Sequence, residues 1–231
     1  EAGTTAVGWQ SQATAERAQA FGHLANASGV RSVAVGEAAA SSGQQSVALG
    51  NQASATDTNS IAIGNTAEAN GGDAIAIGGN RDGATGRATV ASGPSTTVVG
   101  GQALAQGPGA SAYGWRSEAT AERAQAFGHL ANASGVRSLA VGEAAAASGL
   151  ESVAQGNLAT ASGQDAVAIG TTASATGTSS TAVGGEAVAN ATAATAYGWR
   201  SSATGERAHA FGHLANASGV RSVAVGEAAA S

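Results

Sequence analysis

Trp9, His23 and Glu37 stand 14 residues apart, as do Trp115, His129 and Glu143, and again Trp199, His213 and Glu227. An indole, an imidazole and a carboxylate brought into one column can stack and hydrogen-bond to one another, or can offer a ligand an aromatic anchor flanked by charge. Arg116 and Arg200 follow two of the tryptophans. The same 14-residue step sets Arg17 over Arg31, Arg123 over Arg137 and Arg207 over Arg221. Two readings of these columns are open from sequence. In one, the side chains form a stabilising ladder along an edge, its glutamates meeting arginines of a neighbouring subunit. In the other, Trp9, His23, Trp115, Arg116, His129, Trp199, Arg200 and His213 make up three copies of a ligand patch that binds multivalently.

Catalysis and metal binding find little support. His209 and His213 are four apart, a spacing that brings ligands together on a helix. The local pattern is that of a strand, however, and Gln19 and Gln125 hold the places matching His209. Only if the His23 column faced a symmetry axis would three imidazoles converge on an ion. There is no Cys for a thiolate site and no Lys for a phosphate-binding loop. Serine is frequent in turn-like segments, so a Ser–His–carboxylate combination arises here by chance alone. No catalytic, cofactor-binding or metal-binding residue is expected, and the chain is not read as an enzyme.

Net charge is −5, and the ten basic residues, all Arg, form no cluster able to follow a phosphate backbone. Nucleic acid is therefore not an expected partner. No run of 18 apolar residues occurs, so no helix is expected to cross a membrane. The chain starts at Glu1 and ends at Ser231 inside a repeat, and is read as a piece of a longer protein whose membrane anchor lies elsewhere.

The element that positions these columns is a repeat. The pattern small–x–Ala–apolar–Gly recurs, as in Ser32-Val33-Ala34-Val35-Gly36 and Ala166-Val167-Ala168-Ile169-Gly170. Its glycines fall at 8, 22, 36, 50, 64, 78, 100, 114, 128, 142, 156, 170, 184, 198, 212 and 226. Every step is 14 except that from Gly78 to Gly100, which is 22, or 14 plus eight. A second alternating stretch follows each glycine, with Ala or Ser at the third place and usually Ala at the fifth. Period-two alternation and β-branched residues mark strands, and Gly, Asn, Ser, Thr and Asp between them mark turns. Each unit is thus two short strands and two turns, and stacking units pairs equivalent strands in parallel.

The places one and three before each glycine share a face, and the Ala two before it points the other way. That Ala is replaced once, by Val98. If the alanines fill a cramped interior, a stripe containing Val35, Leu49, Ile63, Ile77, Phe127, Val141, Ile169 and Phe211 lies outside. A stripe of that length is expected to be covered by other copies of the chain. The converse, large residues inside and Ala outside, removes that need.

Asn59-Ser60-Ile61-Ala62-Ile63-Gly64-Asn65-Thr66-Ala67 and Arg31-Ser32-Val33-Ala34-Val35-Gly36 resemble the head repeat of YadA-like trimeric autotransporter adhesins, and the resemblance covers nearly the whole chain. It implies an all-β, left-handed parallel β-roll of 14-residue turns, homotrimeric, at the tip of a stalk on a Gram-negative outer membrane. The implied function is attachment to a host extracellular-matrix protein, to cells or to other surfaces, in keeping with a role in virulence. The alternative is a structural spacer that presents another binding domain. Departure from the family pattern is expected at 79–99, read as a period-breaking insertion and protruding loop with Arg81, Asp82, Arg87 and Pro94, between head repeats 1–78 and 100–231. Hexapeptide-repeat acyltransferases, calcium-binding β-rolls and ice-binding solenoids fit less well. Their 18-residue turns, Gly-Gly-x-Gly-x-Asp repeats and regular threonine arrays are absent, Thr171, Thr172, Thr176 and Thr178 being scattered.

Overall fold

The computed structural model describes residues 2–80 and 86–231, and its regular structure is β-strand throughout. The pattern is set in the first turn. Strand β1 (Thr5–Val7) leads through a corner to β2 (Gln12–Ala13), and a second corner leads to β3 (Gln19–Phe21). β3 lies parallel on β1, with Thr5 opposite Gln19, Ala6 opposite Ala20 and Val7 opposite Phe21. Each turn therefore adds one three-residue strand to one sheet, here called sheet A, and one two-residue strand to another, sheet B.

The chain divides into two compact units, Glu1–Thr120 and Ala121–Ser231. In the first, sheet A runs from Thr5–Val7 to Ser111–Tyr113 and sheet B from Gln12–Ala13 to Glu118–Ala119. In the second, sheet A runs from Gln125–Phe127 to Val223–Val225 and sheet B from Asn132–Ala133 to Asn216–Ala217. Each unit is a parallel β-solenoid whose turns lie about 4.8 Å apart.

Both corners are the same four-residue turn. After Gly8, the Ser11 amide donates to the Gly8 carbonyl, with Gln10 at φ 53°. After β2, the Ala18 amide donates to the Ala15 carbonyl, with Arg17 at φ 58°. Up to Asp73 and again from Ser95, a residue in the left-handed region thus recurs every seven positions, and most are not glycine, at roughly 1 kcal/mol each. Their backbones are held by bonds to the neighbouring turn, such as Leu24 N–H to Trp9 C=O at 2.9 Å and Arg31 N–H to Glu16 C=O at 2.8 Å. The anchor glycines are required for a separate reason. At Gly36, φ is 130°, and an added Cβ would stand 2.4 Å from the Gly50 carbonyl oxygen.

The interior settles which face is which. Away from the first and last turns, alanines two before, three after and five after the anchor glycine, such as Ala34, Ala39 and Ala55, are fully buried. A fourth small residue, four before the glycine, joins them as Ala18, Ser32, Ser46 or Thr96. Several of these hydroxyls are satisfied by the turn itself, Ser46 Oγ donating to the Gly43 carbonyl at 2.7 Å and Ser152 Oγ to that of Gly149 at 2.8 Å. Two sheets this close admit little more than a methyl group between them, so the larger side chains of sheet A stand outside.

The structure narrows the expected 79–99 loop. Val90–Ala91 pairs in register with Glu68–Ala69, and Thr97–Val99 pairs with Ile75–Ile77. Both strands belong to the solenoid, and Pro94 sits at the second place of an ordinary corner, where its fixed φ suits the turn. Asn80 and Thr89 occupy regular places, which leaves the eight extra residues at 81–88. Of these, 81–85, with Arg81 and Asp82, lie outside the described residues. The interior widens on return to register: Thr89, Thr96 and Val98 are among the largest fully buried side chains. Gln102 is also fully buried, its backbone N–H donating to Thr89 Oγ1 at 3.1 Å. Arg87 ties the segment down, with Nε on the Gln102 carbonyl at 2.9 Å and an ion pair to Glu118 at 2.5 Å.

Candidate functional site

In each unit the position following the anchor glycine forms a column along one edge, and this column carries the tryptophans and three of the histidines. The Trp9 and His23 rings stack at 4.8 Å between centroids and 24° between planes. His23 Nδ1 lies 3.4 Å from Glu37 Oε1, and Asn51 Nδ2 donates to Glu37 Oε2 at 3.3 Å. Trp199 repeats the arrangement on His213 at 4.9 Å and 15°, and His213 lies 3.3 Å from Glu227. His129 and Glu143 make the matching pair at 3.4 Å. Such stacks contribute about 0.5–1.5 kcal/mol each, and the exposed His–Glu pairs less.

Arginine closes the ladder on the other side. Arg200 Cζ lies 4.6 Å from the Trp199 ring centre, and its Nε donates to Glu186 in the preceding turn at 2.7 Å. His213 belongs to the following turn, so the Trp199 ring is held between imidazole and guanidinium. Arg116 likewise lies over Trp115, 4.5 Å from the ring centre, with Nε donating to Gln102 Oε1 at 2.7 Å. Room for the indole comes from glycine one turn back. A Cβ on Gly185 would meet Trp199 Cδ1 at 3.2 Å, and one on Gly101 would meet Trp115 Cδ1 at 3.4 Å. Gly101, Gly185, Gln102, Glu186 and Asn51 thus belong to the ladder although sequence reasoning passed over them. The signal was present as a Gly-x pair 14 residues before each Trp-Arg. Trp9 is followed by Gln10 and lacks the arginine.

His209 lies in a strand of sheet A, its ring 6.2 Å from that of Phe211, while His213 lies on the edge. The two do not share a site. Among the described residues no group of three His, Asp or Glu converges on a point that suits a metal ion.

The second feature is the outer face of sheet A. Val35, Ile63, Phe127 and Val141 are half-buried, while Leu49, Ile77, Ile169 and Phe211 are exposed. The adjacent column, with Val33, Val47, Ile61, Leu139, Val153 and Val167, is half-buried as well. Sheet B is more polar. The column just past its strands is polar, as in Ser28, Ser42, Thr56, Asn70, Ser134, Ser148, Ser162 and Thr176, with Thr56 Oγ1 donating to Asn70 Oδ1 at 3.1 Å. The outward column within the strands is mixed, with Asn26, Glu68 and Thr160 beside Val90, Leu104 and Val188. Each unit is thus a slab with an apolar face, a more polar face and two edges.

A family model described as YadA head domain repeat (2 copies) matches residues 2–22, 20–39, 41–67, 58–80, 91–117, 119–143, 147–173, 175–201 and 203–227. Residues 81–90, which fall between two of these matches, contain the extra segment. No curated protein matches the chain. Matches over nearly the whole length, on an all-β parallel solenoid of 14-residue turns, settle the family: the chain belongs to the YadA head domains, the heads of trimeric autotransporter adhesins.

Proposed function

We propose that the chain is an adhesive head segment of a bacterial surface adhesin, a homotrimer that attaches to a host extracellular-matrix protein, to cells or to another surface. It is carried to the outer membrane by an anchor elsewhere in the protein. The observation that carries the reading is the contrast between the two outer faces. The sheet A face offers long columns rich in Val, Ile, Leu and Phe, interrupted at Gln155 in one and at places such as Gln19, Ser111 and Gln125 in the other, and three copies around an axis would cover it. The stripe from Val35 to Phe211 is the proposed subunit interface. The more polar sheet B face is then left outward, repeating its hydroxyl and amide groups for a multivalent contact.

Attachment is tested by coating beads with the chain and counting those retained on wells covered with solubilised extracellular matrix. Retention above that of beads carrying an unrelated β-solenoid supports adhesion. Equal retention removes it. The spacer reading is favoured by one observation, the contact of the Trp199 ring with both His213 and Arg200 of its own chain, which makes the ladder a structural device before it is a ligand anchor, although Trp199 stays 43% exposed. Beads carrying Trp9→Ala, Trp115→Ala and Trp199→Ala together separate the two roles, since a ligand patch loses retention and a ladder does not.

A further inference from the structure

We propose that the Trp–His–Glu edge of one copy docks against the arginine edge of the next, so that each repeated block is a seam between subunits. The inference rests on the trimeric reading above and adds to it which residues meet.

The two corners of each turn lie on opposite edges, because a strand of sheet A or sheet B separates them. Three equal slabs turned with their apolar faces to one axis meet edge to edge. Rotation makes every such meeting heterologous, the edge that follows the anchor glycine against the other edge of a neighbour. The two edges are complementary at the repeated blocks. On the first edge Glu37 has only His23 and Asn51 beside it. On the second, Arg17 and Arg31 hold equivalent places in adjacent turns, an unfavourable like-charge step. Arg17 reaches only its own neighbour Glu16, at 3.6 Å. Arg31 and Arg221 have no side-chain hydrogen-bond or ion-pair partner among the described residues, whereas Arg137 in the middle block meets Glu151 one turn on at 2.7 Å.

Apolar groups match in the same way. Leu24 on the first edge is 42% exposed, and Val30 on the second is 38% exposed. Leu130 and Val136, at 42% and 39%, repeat the pairing. Arg31 and Glu37 flank the same strand of sheet A, so copies at equal height bring the guanidinium of one level with the carboxylate of the next. A Leu–Val contact flanked by a charge-assisted pair relieves the arginine step and completes the ladder from outside the chain.

The sequence has no Cys, so cysteines can be placed without background. The test is the full chain with Arg31→Cys and Glu37→Cys together, treated with a short bis-maleimide whose reach of about 10 Å covers two turns of mismatch in height. Within one copy the two sites are six residues apart across a strand, about 20 Å at full extension, beyond that reach. The expected result is conversion of most of the chain to two- and three-chain bands on a denaturing gel, with neither single variant linking beyond two chains. Light scattering on the same sample before treatment separates the failures. A mass of three chains with single-chain bands only overturns the seam and leaves the trimer standing. A mass of one chain overturns both. Should the cysteines disturb the corner, the pair Arg31→Glu and Glu37→Arg gives a second reading. Each alone is expected to lower the dissociation midpoint of the assembly and the two together to restore it, and a sum of losses in the double variant contradicts the seam.

Discussion

The place a Cβ would occupy on Gly142 lies 2.5 Å from the carbonyl oxygen of Gly156, its equivalent one turn on. The same relation holds along the anchor column, as at Gly22 with Gly36 and Gly170 with Gly184. Glycine recurs every 14 residues because turn-to-turn contact at this corner is made by backbone alone, at φ values near 130° that a side chain strains.

Gly142→Ala is therefore expected to destabilise the second unit by at least about 2 kcal/mol. Gly72→Ala is the control, because nothing lies within 4 Å of its Cβ and its φ is not in the left-handed region. Its effect should stay within about 0.5 kcal/mol. Denaturant midpoints of the two variants check both statements, and equal losses would place the cost of the anchor elsewhere.

Ala168 is fully buried between the sheets, and Val98 fills the corresponding place in its own turn. Ala168→Leu should overpack the narrow interior at a cost of about 1–3 kcal/mol. Val98→Ala should cost less than a deletion in a rigid core, because the surrounding Thr89 and Thr96 mark a locally wider interior that can close. Thermal unfolding of both variants distinguishes an interior of uniform width from one that swells at the extra segment.

Arg87 joins that segment to the regular turns through Gln102 and Glu118. Arg87→Ala removes a half-buried charge-assisted pair and should loosen the segment by about 1–2 kcal/mol while leaving distant turns intact. Hydrogen exchange is the measurement. Faster exchange confined to amides near Val90 and Gln102 fits this account, and uniform acceleration does not.

Trp199→Ala deletes a ring that contacts His213 on one side and Arg200 on the other. Loss of stacking and cation–π contact should cost about 1–2 kcal/mol in the second unit. Restoring part of the loss with Trp199→Phe would tie the effect to the ring rather than to the indole N–H.

Val141 stands on the outer face of sheet A, half-buried within one copy. Val141→Asp would set a charge without a partner into the proposed subunit interface, three times over around the axis. The assembly should separate or unfold. Retention of assembled mass and melting temperature would move the interface to another face.

Much of this was legible in the sequence because the repeat is strict. Sixteen anchor glycines fixed the register, and register alone aligned Trp9 with His23 and Glu37. The small column that includes Ser46 and Ser152 escaped notice as core, since serine reads as a turn residue until its hydroxyl is seen bonded inside the turn. Arg200 was flagged without its role, which depends on the Trp199 ring beneath it and on Glu186 one turn back. The extent of the extra segment was overdrawn to 79–99. A break in spacing locates an insertion only to within the interval between anchors, whereas pairing of Val90–Ala91 with Glu68–Ala69 locates it within one half-turn.

Native mass by light scattering after size exclusion, at micromolar concentration, tests the central claim that the apolar face of sheet A is a subunit interface. The account predicts three times the chain mass of 21.8 kDa. A mass of 21.8 kDa, with the Val and Ile columns stable in water, would contradict it.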